Sequence, residues 1–202
     1  RARLVARHIA AKYGGKDGLY ELFAAMPPFE LIKLLLVRAV QGPCPLLGAE
    51  EDQVRGKRKL LFIDVSKAHL YAPTGEEDQA FVDLPPECAK EGTCGILDFW
   101  LYGMRPASKG WEDEYRKRLE SLGFKAGAAS PCCFYRKADG VACVVHGDDF
   151  TFERLGENIS GIPGDLRNHW LVKVRAILGP DSGDDKEVTI LGRVVRWHED
   201  GI

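Results

Sequence analysis

Apolar residues recur at helical spacing in two segments of this chain. The first segment follows Pro27 and Pro28 and predicts a helix over 31–40, because prolines are tolerated in the first turn of a helix. The second predicts a longer helix over 108–122, which Gly123 ends. The other apolar runs are shorter, as is typical of strands, so the pattern predicts a mixed α+β fold.

The short apolar runs lie mostly on either side of tight turns. We predict strands over the runs 60–63, 132–136, 141–145 and 150–152. The first of these strands ends on Asp64. Two turns, 137–140 and 146–149, separate the later strands, and the second turn carries the adjacent carboxylates Asp148 and Asp149. A further hairpin is predicted from 171–178 and 187–197, around the turn-rich stretch 179–186.

Composition narrows the class of protein. The 202 residues are 45% hydrophobic and 29% charged, as in globular domains, and a net charge of −2 gives no attraction of the whole chain to nucleic acid. No apolar run approaches the length that spans a bilayer, and no signal-peptide pattern begins the chain. We therefore expect a cytoplasmic or nuclear protein, not secreted and without a membrane partner, and we expect both ends to be cuts through a longer polypeptide.

The cysteines do not predict a metal site. Six are present, without the paired C-x-x-C spacing that a structural zinc site uses. In a chain without a secretory signal, thiols are expected rather than disulfides. A basic run over 55–59 precedes the first strand, and we expect either solvated charges or contact with a phosphate backbone there.

The carboxylates carry the chemistry that this sequence suggests. Asp64 ends a hydrophobic strand, and Asp148 and Asp149 form the tip of a tight hairpin far along the chain. Nucleotidyl transfer uses two divalent cations about 3.5–4 Å apart, and Mg²⁺ prefers carboxylate oxygens. Taken singly, each aspartate also has an ordinary explanation, since Gly-Asp and Asp-Asp are common in turns.

Four motifs in order resemble copia-type reverse transcriptases. The stretch 62–71 resembles the first palm motif, with Asp64 followed by Val65. The stretch 101–111 is similar to the family's "LYGLKQAPRAW" segment, 144–150 takes the place of the "YVDD" hairpin, and 3–7 is similar to the "ARLVA" of the fingers. The resemblance implies an RNA-directed DNA polymerase, a nucleotidyltransferase encoded within a retrotransposon polyprotein.

The resemblance also implies a fold and a set of site residues. It suggests partial fingers over 1–59 and a palm over 60–202, whose antiparallel sheet carries both predicted helices on one face. Asp64 and Asp148 would bind two Mg²⁺ (or Mn²⁺) ions, with Asp149 and the backbone carbonyl of Val65 in support. The remaining residues that it implies contact nucleotide (Arg1, Arg3, His69 and Arg105) or nucleic acid (Lys109, Lys186 and Arg193).

Some of these roles have structural alternatives, and the expected partners follow from the family. Arg1 and Arg3 would equally fit a solvated strand edge, and Trp111 fits core packing better than a template contact. The implied partners are an RNA or DNA template-primer, deoxynucleoside triphosphates and the other polyprotein domains, namely the thumb, RNase H and integrase.

Three positions depart from the family pattern. His146 replaces the tyrosine of the hairpin motif, His69 replaces the aromatic residue that faces the sugar, and Pro106 replaces a glutamine. A second hypothesis is therefore a decayed or repurposed palm that binds nucleic acid or protein without turnover. A carboxylate-dependent nuclease or phosphatase would use the same metals but would not explain the fingers and middle motifs.

Overall fold

The computed structural model describes residues 24–41, 58–75, 80–155, 159 and 161–202. Arg1 and Arg3, and the predicted strand edge around them, lie outside these residues. The chain divides into two compact units, one containing Lys67–Lys117 and the other Ala25–Ser66 with Arg118–Ile202. The predicted division into fingers over 1–59 and palm over 60–202 stays a prediction. Among the described residues, no helix is long and apolar enough to cross a membrane.

The larger unit, which contains Ala25–Ser66 and Arg118–Ile202, is built on a six-stranded antiparallel sheet. Its helices are α1 (Phe29–Gln41) and α3 (Ile162–Arg167). Its strands are β1 (Arg58–Val65), β4 (Lys125–Ala126), β5 (Cys133–Arg136), β6 (Val141–His146), β7 (Asp149–Leu155), β8 (Val172–Leu178), β9 (Glu187–Ile190) and β10 (Arg193–Arg196). The main sheet has the order β4-β5-β6-β7-β1-β8, and β9 and β10 form a separate two-stranded sheet. The predicted α+β class is confirmed.

Helix α1 covers one face of this sheet. Ile32, Leu35 and Ala39 of the helix join a buried cluster with Leu60 and Phe62 of β1. Both β1 side chains are at most 2% exposed, and burying each contributes about 1.5–3 kcal/mol of transfer free energy. Helix α1 therefore begins and ends close to the sequence prediction, and its apolar stripe explains its docking.

The opposite face of the sheet is aromatic. Phe150 and Phe152 of β7 are buried, and their rings lie 5.8 Å from Trp170 and 6.1 Å from Phe124 respectively. Because residues alternate along a strand, Phe150 and Phe152 point away from the face that carries Asp149. Both faces of the central strands are thus covered, which explains the unbroken apolar runs in the sequence.

In its described residues, the smaller unit contains little regular structure apart from one helix. Its elements are the short strands β2 (Ala80–Val82) and β3 (Gly95–Leu97), a 3₁₀ turn over Ala68–Tyr71, and helix α2 (Ala107–Ser121), whose last turn belongs to the larger unit. Trp111 is 2% exposed and meets Tyr115 edge to face at 5.7 Å. The predicted helix and the core role of Trp111 are both confirmed.

The hairpin predicted from 171–178 and 187–197 is wrong. Strand β8 pairs with β1 in the main sheet, and the hairpin forms within 187–196, between β9 and β10. Its two-residue turn is Leu191 and Gly192, with φ angles of 46° and 71°, as a type I′ turn requires. The turn was missed because leucine rarely adopts a positive φ.

The expectation for the basic run before β1 is also wrong in part. Strand β1 begins at Arg58, two residues earlier than predicted, and Arg58 is only 4% exposed. Its guanidinium donates to Glu153 at 2.5 Å, while Lys59 donates to Asp184 at 2.7 Å. These two cations are therefore neither solvated nor available to a phosphate backbone, because each has an internal carboxylate partner.

The described cysteines are not in disulfides: Cys88, Cys94, Cys132, Cys133 and Cys143. Cys143 is 1% exposed, and burial raises its pKa well above the ordinary value of a thiol. Because the thiolate is the reactive form, Cys143 acts as a small core residue on β6.

Candidate functional site: a carboxylate pair at one end of the sheet

The antiparallel ladder brings two of the predicted aspartates together. Strands β1 and β7 pair in a register in which Asp64 lies directly opposite Asp149. Side chains directly opposite each other in such a pair project to the same face, with their Cβ atoms about 4.5–5.5 Å apart. Residues that are 85 positions apart in the sequence therefore form one carboxylate pair at the end of the sheet.

The third aspartate lies at the hairpin tip beside them. Gly147 and Asp148 form the two-residue turn between β6 and β7, and Gly147 has a φ of 65°. That conformation suits glycine, which has no side chain to clash in the first central position of a type II′ turn. The carbonyl of Asp148 accepts the Val65 N–H at 2.9 Å, and the Asp148 side chain is exposed.

A cation of the protein itself lies against the carboxylate pair. Arg175 on β8 donates from Nη2 to Asp64 Oδ1 at 2.7 Å, and the same nitrogen lies 3.2 Å from Asp149 Oδ1. These ion pairs are partly exposed, with 35% of the Arg175 side chain, 21% of Asp64 and 23% of Asp149 accessible. The motifs did not predict Arg175, because its only signal was a charged residue within an alternating strand.

The effects on the pKa of Asp149 partly oppose one another. Desolvation raises the pKa of Asp149 above its ordinary value, and the nearby Asp148 and Asp64 carboxylates raise it further. Arg175 and His146 lower it by attraction. The Oδ1 atom of Asp149 is buried and accepts no well-aligned hydrogen bond, although Arg175 is within ion-pair distance. The site therefore holds more negative charge than its internal cation offsets.

The donor set suits a hard divalent cation. Mg²⁺ in proteins is commonly held by one or two carboxylates, with water and substrate phosphates completing the shell. Asp64 and Asp149 supply such oxygens from one face, and among them the Oδ1 of Asp149 accepts no well-aligned hydrogen bond. In the part of the chain that the structure describes, no three His, Cys, Asp or Glu side chains converge into a metal-binding group. The fit of a divalent cation to this site therefore depends on the carboxylates of Asp64 and Asp149.

His146 and Leu191 lie beside the pair. They help to line a cavity of about 10 Å³ that also touches Asp149 and Arg175. A space of this size holds about one water molecule, not a nucleotide. A larger groove of about 550 Å³ lies between α1 and strands β4 to β6, and it contains none of the residues predicted to bind metal or nucleotide.

Two predicted residues of the larger unit make internal contacts. Lys186 donates from Nζ to the carbonyls of Gly179 and Asp181, both at 2.7 Å, and so holds the 179–186 connection. The Arg193 guanidinium lies 4.3 Å from the ring centroid of Phe29, a cation–π arrangement at the start of α1.

The predicted residues of the smaller unit are His69, Arg105 and Lys109. The His69 ring is 4.6 Å from the Tyr102 ring, so it packs against an aromatic neighbour within its unit. Arg105 is partly buried just before α2. Lys109 pairs along α2 with Asp113 at 2.5 Å and Glu112 at 3.7 Å. Their roles with nucleotide or nucleic acid stay predictions.

No protein-family model, curated protein or solved structure matches this chain.

Proposed function

We propose that this chain is the palm-containing part of a copia-type reverse transcriptase, an RNA-directed DNA polymerase. The observation that carries the proposal is the direct cross-strand pairing of Asp64 with Asp149, beside the Gly147-Asp148 turn. The order of the sequence motifs points independently to the same residues. An antiparallel sheet with carboxylates at one end is also the arrangement expected of a polymerase palm.

In this proposal the chain's residues bind and orient the reacting groups. Two divalent cations would lower the pKa of a primer 3′-hydroxyl and stabilise the leaving pyrophosphate. Asp64 and Asp149 supply oxygens from neighbouring strands, so the rigid ladder fixes their separation. Asp148, exposed on the turn, is free to rotate toward a bound ion. The substrates are deoxynucleoside triphosphates and a template-primer.

Primer extension tests this proposal. Purified chain is incubated with poly(rA)/oligo(dT) and dTTP in Mg²⁺ or Mn²⁺, and product length is measured on a gel. Asp64→Asn and Asp149→Asn should each lower the extension rate by about 100-fold or more, as when a group that stabilises transition-state charge is removed. Asp165→Asn, at an exposed aspartate of α3, is the matched control and should retain the wild-type rate.

Two results would contradict this proposal, the first its activity and the second its site. One is the absence of extension by the wild-type chain with either metal, including after thumb and fingers segments are added back. The other is extension that survives Asp64→Asn, since the reaction would then proceed without the proposed ligand.

A palm-like domain that binds nucleic acid or protein without turnover is the second candidate. The ion pair between Arg175 and both carboxylates favours it, because a permanently held guanidinium would compete with metal ions. His69, Pro106 and His146 depart from the polymerase pattern in the same direction. Stabilisation by Mn²⁺ distinguishes the candidates, because only a functional metal site gains stability by binding.

A further inference from the structure

Arg175 occupies an irregular position in its strand. Along the β1–β8 ladder, Phe62 pairs with Ala176, whereas the next residue, Ile63, pairs with Val174. Arg175 is therefore the extra residue of a β-bulge, opposite no single partner. Bulges interrupt the regular alternation and redirect a side chain, and they are common next to functional sites.

The redirected side chain bridges two like charges. Asp64 and Asp149 lie directly opposite each other, an arrangement that destabilises a ladder when both carry the same charge. One Arg175 nitrogen lies 2.7 Å from Asp64 Oδ1 and 3.2 Å from Asp149 Oδ1. A single guanidinium thus offsets the repulsion that a divalent cation would offset in the same place.

We propose that Arg175 is a built-in counter-ion of the Asp64–Asp149 pair, which a divalent cation must displace in order to bind. This inference rests on the proposed function, because it takes the pair to be a metal site. Arg175 keeps the two carboxylates together in the metal-free protein and lowers their affinity for metal. With more than a third of its side chain accessible, it can move away without breaking the core.

Removing the charge of Arg175 should therefore have two linked effects. The metal-free protein loses its counter-ion and becomes less stable, while its carboxylates become easier for a cation to reach. Because exposed ion pairs are weak, the Mn²⁺ concentration that raises the melting temperature by a given amount should fall roughly 5- to 10-fold in Arg175→Gln.

The experiment is thermal unfolding of the full chain during a titration with MnCl₂. Wild type, Arg175→Gln, Asp149→Asn and Arg196→Gln are compared. Arg196 is the matched control, since it is an arginine whose ion pair with Glu187 is exposed. We expect Arg175→Gln to melt lowest without metal and to respond at the lowest Mn²⁺ concentration. Arg196→Gln should follow wild type, and Asp149→Asn should lose most of the response.

The possible results separate this inference from the proposed function. If the same Mn²⁺ concentration gives the same rise in melting temperature in wild type and Arg175→Gln, and the response is lost in Asp149→Asn, the counter-ion role is overturned while the metal site stays in place. A Mn²⁺ response that Asp149→Asn leaves unchanged, or no response in any protein, would contradict the metal site itself and the inference with it.

Two further measurements guard against a variant that does not fold. Arg175→Lys keeps the charge, so the Mn²⁺ concentration that gives the same rise in melting temperature should stay within about 2-fold of the wild-type value, because the ammonium still offsets the negative charge of the pair. If Arg175→Lys behaves as Arg175→Gln does, charge is not the cause. In the wild-type chain, titration with Mg²⁺ should shift the Arg175 Nε–H resonance and leave that of Arg196 unchanged. Binding of Mg²⁺ without a shift at Arg175 would also overturn the inference.

Discussion

Two ion clusters lie on the same face of the main sheet, at opposite ends of the β1–β7 pair. At one end Glu153 contacts two guanidiniums, Arg58 at 2.5 Å and Arg38 at 3.1 Å. At the other end the carboxylates of Asp64 and Asp149 share the single guanidinium of Arg175. The first cluster has an excess of positive charge and the second an excess of negative charge.

The two clusters also differ in how far their carboxylates are buried. Glu153 has no exposed side-chain surface and Arg58 has 2%, whereas Asp64 and Asp149 keep about a fifth of theirs. Because Arg38 belongs to α1, the buried Glu153 ties that helix to the sheet. Arg38 keeps 22% of its side chain exposed, but the Arg58–Glu153 pair at the centre of this cluster is closed to solvent. The accessible cluster can exchange its cation. Similar ionic residues therefore make a structural link when they are enclosed and a candidate binding site when they are open to solvent.

Breaking the buried cluster should give the largest effect on stability. In Glu153→Gln the Arg58 guanidinium keeps its charge but loses its buried counter-ion, so the free energy of unfolding should fall by about 3–5 kcal/mol. Urea unfolding measures this change. Glu187→Gln, which removes the exposed partner of Arg196, is the control and should lower it by less than about 1 kcal/mol. A loss below 1 kcal/mol for Glu153→Gln would show that the enclosed link is not needed.

The same kind of substitution at the open cluster should change stability far less. Asp149→Asn removes a carboxylate that burial disfavours and that faces another carboxylate, while Arg175 keeps its contact with Asp64. Without metal, we expect the free energy of unfolding to stay within about 1 kcal/mol of wild type, because only a partly exposed ion pair is lost. A loss of 3 kcal/mol in the urea experiment would mean that both clusters are structural.

High salt should also distinguish the two clusters, through a smaller change in stability than the substitutions themselves cause. The Debye length falls from about 10 Å at 0.1 M salt to about 3 Å at 1 M, and buried pairs are screened much less than exposed ones. The stability difference between wild type and Arg175→Gln should therefore shrink in 1 M NaCl, whereas the deficit of Glu153→Gln should persist. If both differences respond equally to salt in urea titrations, the contrast in burial does not govern them.

Removing a third ion pair, between Lys59 of β1 and Asp184, should have the smallest effect on stability, and this effect should depend on pH. The hydrogen bond from Lys59 to Asp184 raises the lysine pKa above 10.5, against an opposing effect of burial. The contribution of the Lys59 charge to stability is therefore fully present below the pKa that Lys59 has in the unfolded chain. It is lost as the pH rises through the pKa that Lys59 has in the folded protein. Wild type should exceed Lys59→Met in stability by a constant amount up to about pH 10, and the gap should narrow above about 10.5. A gap that widens in alkaline solution would contradict this sign.

Local pattern was sufficient for much of the fold. The apolar stripe after Pro27 and Pro28 predicted α1, and the alternation around two tight turns predicted β5, β6 and β7. These elements depend on contacts between residues close in sequence, which periodicity and turn chemistry describe well. Helix α3 was missed because its six residues are too few to show a helical period.

Pairing between strands that are far apart in the sequence could not be predicted in the same way. The sequence gives no information on whether β8 pairs with its neighbour or with β1, since both choices bury the same apolar residues, and the nearer pairing was wrongly predicted. The burial of Arg58 was missed for a related reason. Its partner Glu153 is 95 residues away, and an arginine in a basic run before a strand usually remains solvated.

The sequence by itself determined which carboxylates to examine, because Asp64 ends a buried strand and Asp148 and Asp149 form the tip of a tight turn. Only the tertiary structure decided that Asp64 meets Asp149 and that Arg175 bridges them. Both outcomes depend on the register of β1 between β7 and β8, and on a bulge that shifts one residue. Register is a property of paired strands, so the electrostatics of this site arise only when the sheet has formed.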